Sequence, residues 1–249
     1  MSNDKELKIS SAGKGYLPKA AELISRTFTE DPVIKFMLSS LSDEDRLAYM
    51  PTYMHTLLKA ATLNDGLIQE ANDWCCCAVW MPPGKRVDNI FTMIPAGILG
   101  CFWKNGVAGI RRMLLDFGSQ SDACKQKYLR DSKGNPVKRH HYLYFIATDL
   151  HARGQGLASK MIARWQEKAL EDGLPIWLEA TTPRSRDIYA RRGFKVVEEM
   201  RVGKGTHVES GTMEEGGNGV PLWAMIWWPE WKKDSGITHG SQPEGTSRN

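Results

Sequence analysis

The first ten residues, MSNDKELKIS, contain no apolar h-region, so no secretory signal is expected. No uninterrupted apolar run approaches the ~20 residues that cross a bilayer. The longest, Ile90 to Trp103, is broken by Pro95, Gly97 and Gly100; it reads as a buried helix, with a membrane-facing lip as the lesser reading. No C-x-x-C pair occurs. The five cysteines are odd in number, and Cys75, Cys76 and Cys77 are consecutive. Neighbours on a strand point to opposite faces, so these three cannot converge on one metal. They read as reduced, structural thiols of a cytoplasmic protein, with Cys124 as a spectator rather than a reactive group. There is no G-x-x-x-x-G-K-[ST] loop. Charge of neither sign dominates: 33 Lys and Arg face 29 Asp and Glu, for a net +4. That balance gives no clustered cationic groove, so no nucleic-acid partner is expected, and no metal or membrane partner either.

What is present is an alternation of helical and strand patterns. A short strand is expected over Leu7–Ser10, then a helix over Leu17–Phe28 that ends at Asp31-Pro32. A second helix, Asp43–Leu63, has Ser42 as its cap and a kink or break at Pro51. Two strands, Gly66–Ala71 and Trp74–Met81, are joined by a tight turn at Asn72-Asp73. The following stretch, about residues 85–139, is too long for a plain loop and reads as a helical insert. Its helices cover Asn89–Phe117, interrupted near Asn105-Gly106, and Ser119–Arg130. From His141 the order is strand to Ala147, amphipathic helix Gly156–Asp172, strand Pro175–Glu179, helix Ser185–Arg192, and strand Phe194–Arg201. A glycine-rich loop, Gly203–Gly219, leads to a last strand, Val220–Trp228. Residues 1–231 therefore read as one domain and 232–249 as a disordered tail.

The chemistry concentrates where the strand at 141–147 meets the helix at 156. Arg153-Gly154-Gln155-Gly156 lies between them. A helix N-terminus offers unpaired N–H groups and the positive end of a dipole, and glycine allows a bulky anion to approach the backbone. The expected ligand is a phosphate or diphosphate on the N–H groups of Arg153 to Ala158, with Arg153 adding a forked cation. A dinucleotide fingerprint is the rival. Ser159 stands at its third glycine position, Glu179 lies near the distance of its acidic residue, but too few residues follow to complete a doubly wound domain.

Two motifs in series point further. Arg153-Gly-Gln-Gly-Leu-Ala158 resembles the Q/R-x-x-G-x-G/A loop of the GNAT acetyltransferases, and Ser185 to Phe194 resembles their N/S-x-x-x-Y-x-x-x-G-F helix. His151 departs from the family, which usually has Gln or Arg there. Leu178-Glu-Ala-Thr181 and the insert resemble the fungal and puromycin-acetyltransferase-like branch. The resemblance implies an α/β (α+β) fold: a mixed, mostly antiparallel sheet of six to seven strands, a central splayed parallel pair, and helices on both faces. It implies acetyl-CoA as acyl donor, held by Phe145, Ile146, Ala147 and Thr148 along its arm. Arg153, Gly154, Gln155, Gly156, Leu157 and Ala158 would hold its diphosphate, beside Ser185 and Tyr189. It implies Tyr189 as general acid. Glu179, a carboxylate at a strand end, or His141, with an intrinsic pKa near neutrality, reads as the base, and His140 reads as solvated. Phe28, Asp31, Phe91 and Glu179 are the expected acceptor contacts, with the insert and the 203–219 loop. The acceptor is expected to be the primary amine of a small, partly apolar molecule, attacked in a ternary complex by a monomer or homodimer. A peptide or protein acetyltransferase, or a non-catalytic acyl-CoA-binding module, is the alternative.

Overall fold

The computed structural model describes residues 8–229; Leu7 and the tail expected after Trp231 lie outside them. Seven strands form one sheet: β1 Ile9–Ala12, β2 Leu67–Ala71, β3 Cys76–Met81, β4 His141–Thr148, β5 Ile176–Ala180, β6 Lys195–Val202 and β7 Val220–Trp227. Their order is β1-β2-β3-β4-β5-β7-β6, and every pairing is antiparallel except β4 with β5. The parallel pair is joined only at His141↔Ile176 and Tyr142↔Trp177. Beyond these two positions the strands part, and β5 continues its ladder with β7 through Glu179 and Ala180.

Helices α1 Leu17–Thr27, α2 Pro32–Met37 and α3 Asp43–Leu63 cover one face; α7 Leu157–Glu171 and α8 Pro183–Arg191 cover the other. The insert contributes α4 Ile90–Ala96, α5 Ile98–Arg111 and α6 Ser119–Tyr128, with a π-helical segment, Arg112–Gly118, between the last two. β3 is buried along its whole length, which is why Cys-Cys-Ala-Val-Trp-Met shows no polar alternation. Trp80 from β3 stacks on Trp165 of α7 at 4.5 Å, clamping that helix onto the sheet. Along α7, Leu157, Met161, Ile162, Trp165 and Ala169 all point inward at the spacing its sequence sets.

Three local expectations change. Asp31-Pro32 does not merely end a helix. Asp31 caps α2, its carboxylate accepting from the Val33 and Ile34 N–H groups at 3.0 Å each. Pro51 leaves α3 continuous: Ser42 caps it and Asp43, Glu44 and Asp45 fill the first turn, where a helix dipole favours anions. The β2–β3 turn spans residues 72–75, with Asn72, Asp73 and Trp74 all at positive φ. Glu70 accepts from the Trp74 N–H at 3.0 Å, and the Tyr16 ring meets the indole edge-on at 5.2 Å. These contacts hold a conformation that costs a bulky L-residue about 1–2 kcal/mol.

Candidate active site

β4 carries the decisive irregularity. Val79 of β3 pairs with Phe145, but the next residue, Trp80, pairs with Leu143, so Tyr144 is an extra residue in the ladder. This bulge reverses the side-chain alternation. Leu143 packs under α7, whereas Phe145 and Ala147, an even number of residues along, face α1 and α3. The backbone of β4 is thereby turned just where β5 leaves it.

The gap between the strands is a cavity of about 740 Å³. Its floor is β4 from Tyr142 to Thr148, and its far end is the bend into α7. Gly154 and Gly156 have φ of 83° and 73°, and neither has a neighbour within 4 Å of where a Cβ would stand. A side chain there would meet strain and would fill the open approach to the helix. Gly156 is the N-cap of α7 and no side chain caps the helix, so its first N–H groups face the cavity uncompensated. Arg153, Arg184 and Arg191 line the same space. Uncapped N–H groups, a dipole end and three guanidinium groups suit a di-anion, and the cavity is long enough for a chain attached to it.

The side chains expected to act on a substrate line the same cavity. Tyr189 lines the cavity and is 8% exposed; burial first, then the Asp31 charge, raises its phenol above the ordinary tyrosine value. It is therefore protonated at neutral pH and holds its proton more tightly than a free phenol does. Glu179 lies past the last β4–β5 pair, with its side chain only 4% exposed. Its Oε1 accepts from Trp177 Nε1 at 2.6 Å and from the Ser121 hydroxyl at 2.5 Å, with Lys125 Nζ 3.8 Å away. Burial, then the Glu179 charge, raises the Tyr142 phenol well above the ordinary tyrosine value. The insert, through α6, thus fixes the orientation of a strand residue.

This geometry can be set beside known proteins. The family model for the acetyltransferase (GNAT) domain matches residues 134–210, the span that holds β4, the bend, α7, β5, α8 and β6. An N-acetyltransferase of Schizosaccharomyces pombe, itself uncharacterised, is 26% identical over 185 residues, covering 73% of this chain and 71% of that one. Together these matches support a GNAT superfamily acyltransferase.

Solved structures agree on the fold. A Corynebacterium glutamicum protein described as histone acetyltransferase HPA2 and related acetyltransferase aligns at a TM-score of 0.56 and 21% identity, over 90% of this chain and 96% of that one. Arylalkylamine N-acetyltransferase 2 of Aedes aegypti gives 0.57 at 17% identity, over 90% and 99%. Polyamine N-acetyltransferase of Drosophila melanogaster gives 0.57 at 12%, over 90% and 100%.

Most of the expected residues converge. Phe28, Asp31, Phe145, Ile146, Ala147, Thr148, Arg153, Gly154, Gly156, Leu157, Ala158, Glu179, Ser185 and Tyr189 all line the cleft. Gln155 is exposed and does not. Two of the lining residues are already engaged. Ser185 forms a reciprocal capping box with Thr182 at the start of α8. Asp31 caps α2 and accepts from the Thr181 hydroxyl, and burial raises its carboxyl to about 6. Asp31 was expected as an acceptor contact; its hydrogen bonds are those of a cap.

His141 is not brought to the cleft. It is fully buried against Trp165, with Nε2 3.1 Å from Asp172, and burial lowers its pKa. The bulge explains this: residue 141 precedes it and points under α7. Phe91 is 85% exposed on the outside of α4 and touches neither cavity. The 203–219 loop also stands apart. His207 packs edge-on against Phe36 at 4.8 Å and meets Ser39 Oγ at 2.8 Å, and a Cβ on Gly211 would collide with Pro32 O at 2.2 Å. The loop clasps α2.

A second cavity, about 460 Å³, lies beneath the insert and meets the first at Leu57, Met113, Phe117, Tyr142 and Tyr144. Met93, Ala96 and Ile98 give it an apolar wall; Arg86, Asp88, Asp122, Lys125, Lys138 and His140 give it a polar end. Arg86 binds Asp88 at 2.6 Å and Asp122 at 2.7 Å, which ties the approach to α4 onto α6. His140 is not solvated as expected: burial, with the Lys125 charge, pushes its imidazole down to about 4. Cys124 is buried and its thiol is pushed up to about 11, which disfavours the thiolate a nucleophile needs. Sequence reasoning missed Ser121, Lys125 and the two tyrosines of β4. Ser121 and Lys125 left no signal in the polar sequence of α6, and the tyrosines left only the aromatic-rich stretch Tyr142-Leu-Tyr-Phe145.

Proposed function

We propose that this acyltransferase moves an acetyl group from acetyl-CoA to a primary amine of a small molecule, by direct attack in a ternary complex. The observation that carries the reading is the junction of two cavities at Tyr142 and Tyr144. One ends on the uncapped α7 N-terminus and the other is closed over by the insert. The first fits a diphosphate with a long arm; the second fits an acceptor of limited size with an apolar body. An arylalkylamine and a polyamine enzyme among the structural neighbours accord with a small amine, although such distant likeness speaks for the fold.

When bound, acetyl-CoA supplies the activated acetyl thioester. The N–H groups of Leu157, Ala158 and Ser159, with Arg153, would hold the diphosphate, and the free edge of β4 at Phe145 to Ala147 would pair with the arm as an added strand. Attack by a neutral amine nitrogen forms the C–N bond as the C–S bond breaks. A backbone N–H near Ile146 or Ala147, on the strand beside the bulge at Tyr144, would donate to the carbonyl oxygen. Tyr189, kept protonated by burial, gives its proton to the departing sulfur. Glu179 takes the amine proton, directly or through water, from a position fixed by Trp177 and Ser121.

The test is CoA release, followed with a thiol reagent, across a panel of small amines and short peptides. Release with small amines is the expected result. Release with peptides alone would overturn the acceptor assignment, and CoA binding without release to any amine would favour a binding module.

A further inference from the structure

Residues 89–115 contain Lys104, Arg111 and Arg112 but no Asp or Glu. The segment has two faces. Inward, Met93, Ala96, Ile98 and Cys101 are buried, and Asn105 donates to Met37 O at 3.3 Å. Outward, Trp103 is 90% exposed, Phe91 85%, Val107 82% and Leu115 63%. Eight of the thirteen large apolar side chains exposed among the described residues fall between Ile90 and Leu115. Single exposed apolar residues are ordinary, but a cluster of this kind on consecutive helices is not. Leu99 and Trp103 share one face of α5 at a spacing of four, and the segment continues through Val107 after the break at Gly106.

We infer that this outer face of the insert docks on the surface of an anionic phospholipid bilayer. Three features favour that occupant. The most exposed side chains are Trp and Phe, which suit the headgroup boundary. The charged groups exposed beside them are Lys104 and Arg111, both cations; Lys104 is tied to Asp45 at 2.9 Å, and Arg111 has no ion-pair partner among the described residues. A segment with no carboxylate of its own and with Arg111 free of an ion-pair partner among the described residues complements anionic headgroups. A second copy of the chain fits less well, because a two-fold interface would set the same cation-bearing segment against itself. No helix among the described residues is long and apolar enough to cross a membrane, so the segment lies on the surface. This departs from the sequence expectation of no membrane partner. It also gives the fold a direction: the docking face is the outer side of the segment whose Met93, Ile98 and Met113 line the cavity beneath.

Vesicle flotation of the full chain tests this without turnover, so its outcome is independent of the acetyl-transfer reading. Vesicles of phosphatidylcholine alone would be compared with vesicles of roughly one third phosphatidylserine. Flotation with the anionic vesicles is expected, falling about tenfold in Trp103→Ser and again in Phe91→Ser, since each removes a large apolar side chain from the headgroup boundary. Arg111→Gln should lose less and should weaken the salt dependence. Both aromatic positions are solvent-exposed, so unchanged melting curves are expected. A wild-type chain that does not float, or variants that float as well as it does, would overturn the inference. So would a concentration-dependent dimer in sedimentation that Trp103→Ser abolishes, which would assign the face to a second copy.

Discussion

The cleft at the β4–β5 split and the cavity beneath the insert share Tyr142 and Tyr144, yet they are made of different material. The cleft is chiefly backbone: a bulged strand, two glycines at positive φ and the uncapped end of α7. The cavity is chiefly side chains, held by α4, α6 and the π-helical segment and pinned by Arg86 between Asp88 and Asp122. A backbone site tolerates almost no change of residue at its glycines and much change elsewhere. A side-chain site can be altered one contact at a time. Substitutions should therefore fall into two classes, one acting on the donor and one on the acceptor.

The largest effect is expected from Gly156→Glu. It forces a side chain onto a positive-φ position and sets a carboxylate at the positive end of α7, so affinity for CoA measured by calorimetry should fall at least about 100-fold. Unaltered affinity would show that the bend is not the anion site. Tyr189→Phe comes next, with kcat reduced about 100-fold while CoA affinity holds, because the ring stays and only the proton is removed. Equal losses in both would make Tyr189 a packing residue.

The two classes were also unequally legible. Arg153 to Ala158 and Ser185 to Phe194 could be read because a glycine turn and a helix start leave fixed residue types at fixed spacing. The amphipathic face of α7 followed from periodicity, whereas the parallel pair and the helices on both faces were implied by the resemblance. The bulge at Tyr144 left no such trace. It depends on the pairing of Val79 and Trp80 in a strand far away in sequence, and it alone decides that His141 points under α7. Phe91 was misplaced for a related reason: aromatic content announces an apolar helix but not which way its faces turn. Glu179 was readable as a strand-end carboxylate, whereas its partners Ser121 and Lys125 come from a helix about 55 residues earlier.

Lys125→Met sharpens the contrast. It removes the cation near Glu179 and over the Tyr142 ring at 4.6 Å. The KM for the acceptor should change by about tenfold with CoA affinity unchanged. A loss of CoA affinity instead would erase the distinction between the two regions.

The smallest effect concerns stability. The Asp31 carboxyl is raised to about 6 from 3.8, so between those values the folded chain keeps a proton that the unfolded chain has released. Its contribution is fully present below pH 3.8 and is lost as pH rises through 6. Asp31→Asn removes this dependence. The melting temperature of the variant relative to wild type should rise by a few degrees between pH 4.5 and pH 7.5, roughly what one or two kcal/mol gives in a chain of this size. A constant difference would mean that the carboxylate is stabilised elsewhere in the fold.

The most direct test of the whole account is a crystal structure of the chain with coenzyme A. The expected result is a diphosphate within hydrogen-bond reach of the N–H groups between Gly154 and Ser159, and an arm running beside Phe145 to Ala147. A diphosphate seated anywhere else, with that bend left empty, would contradict it.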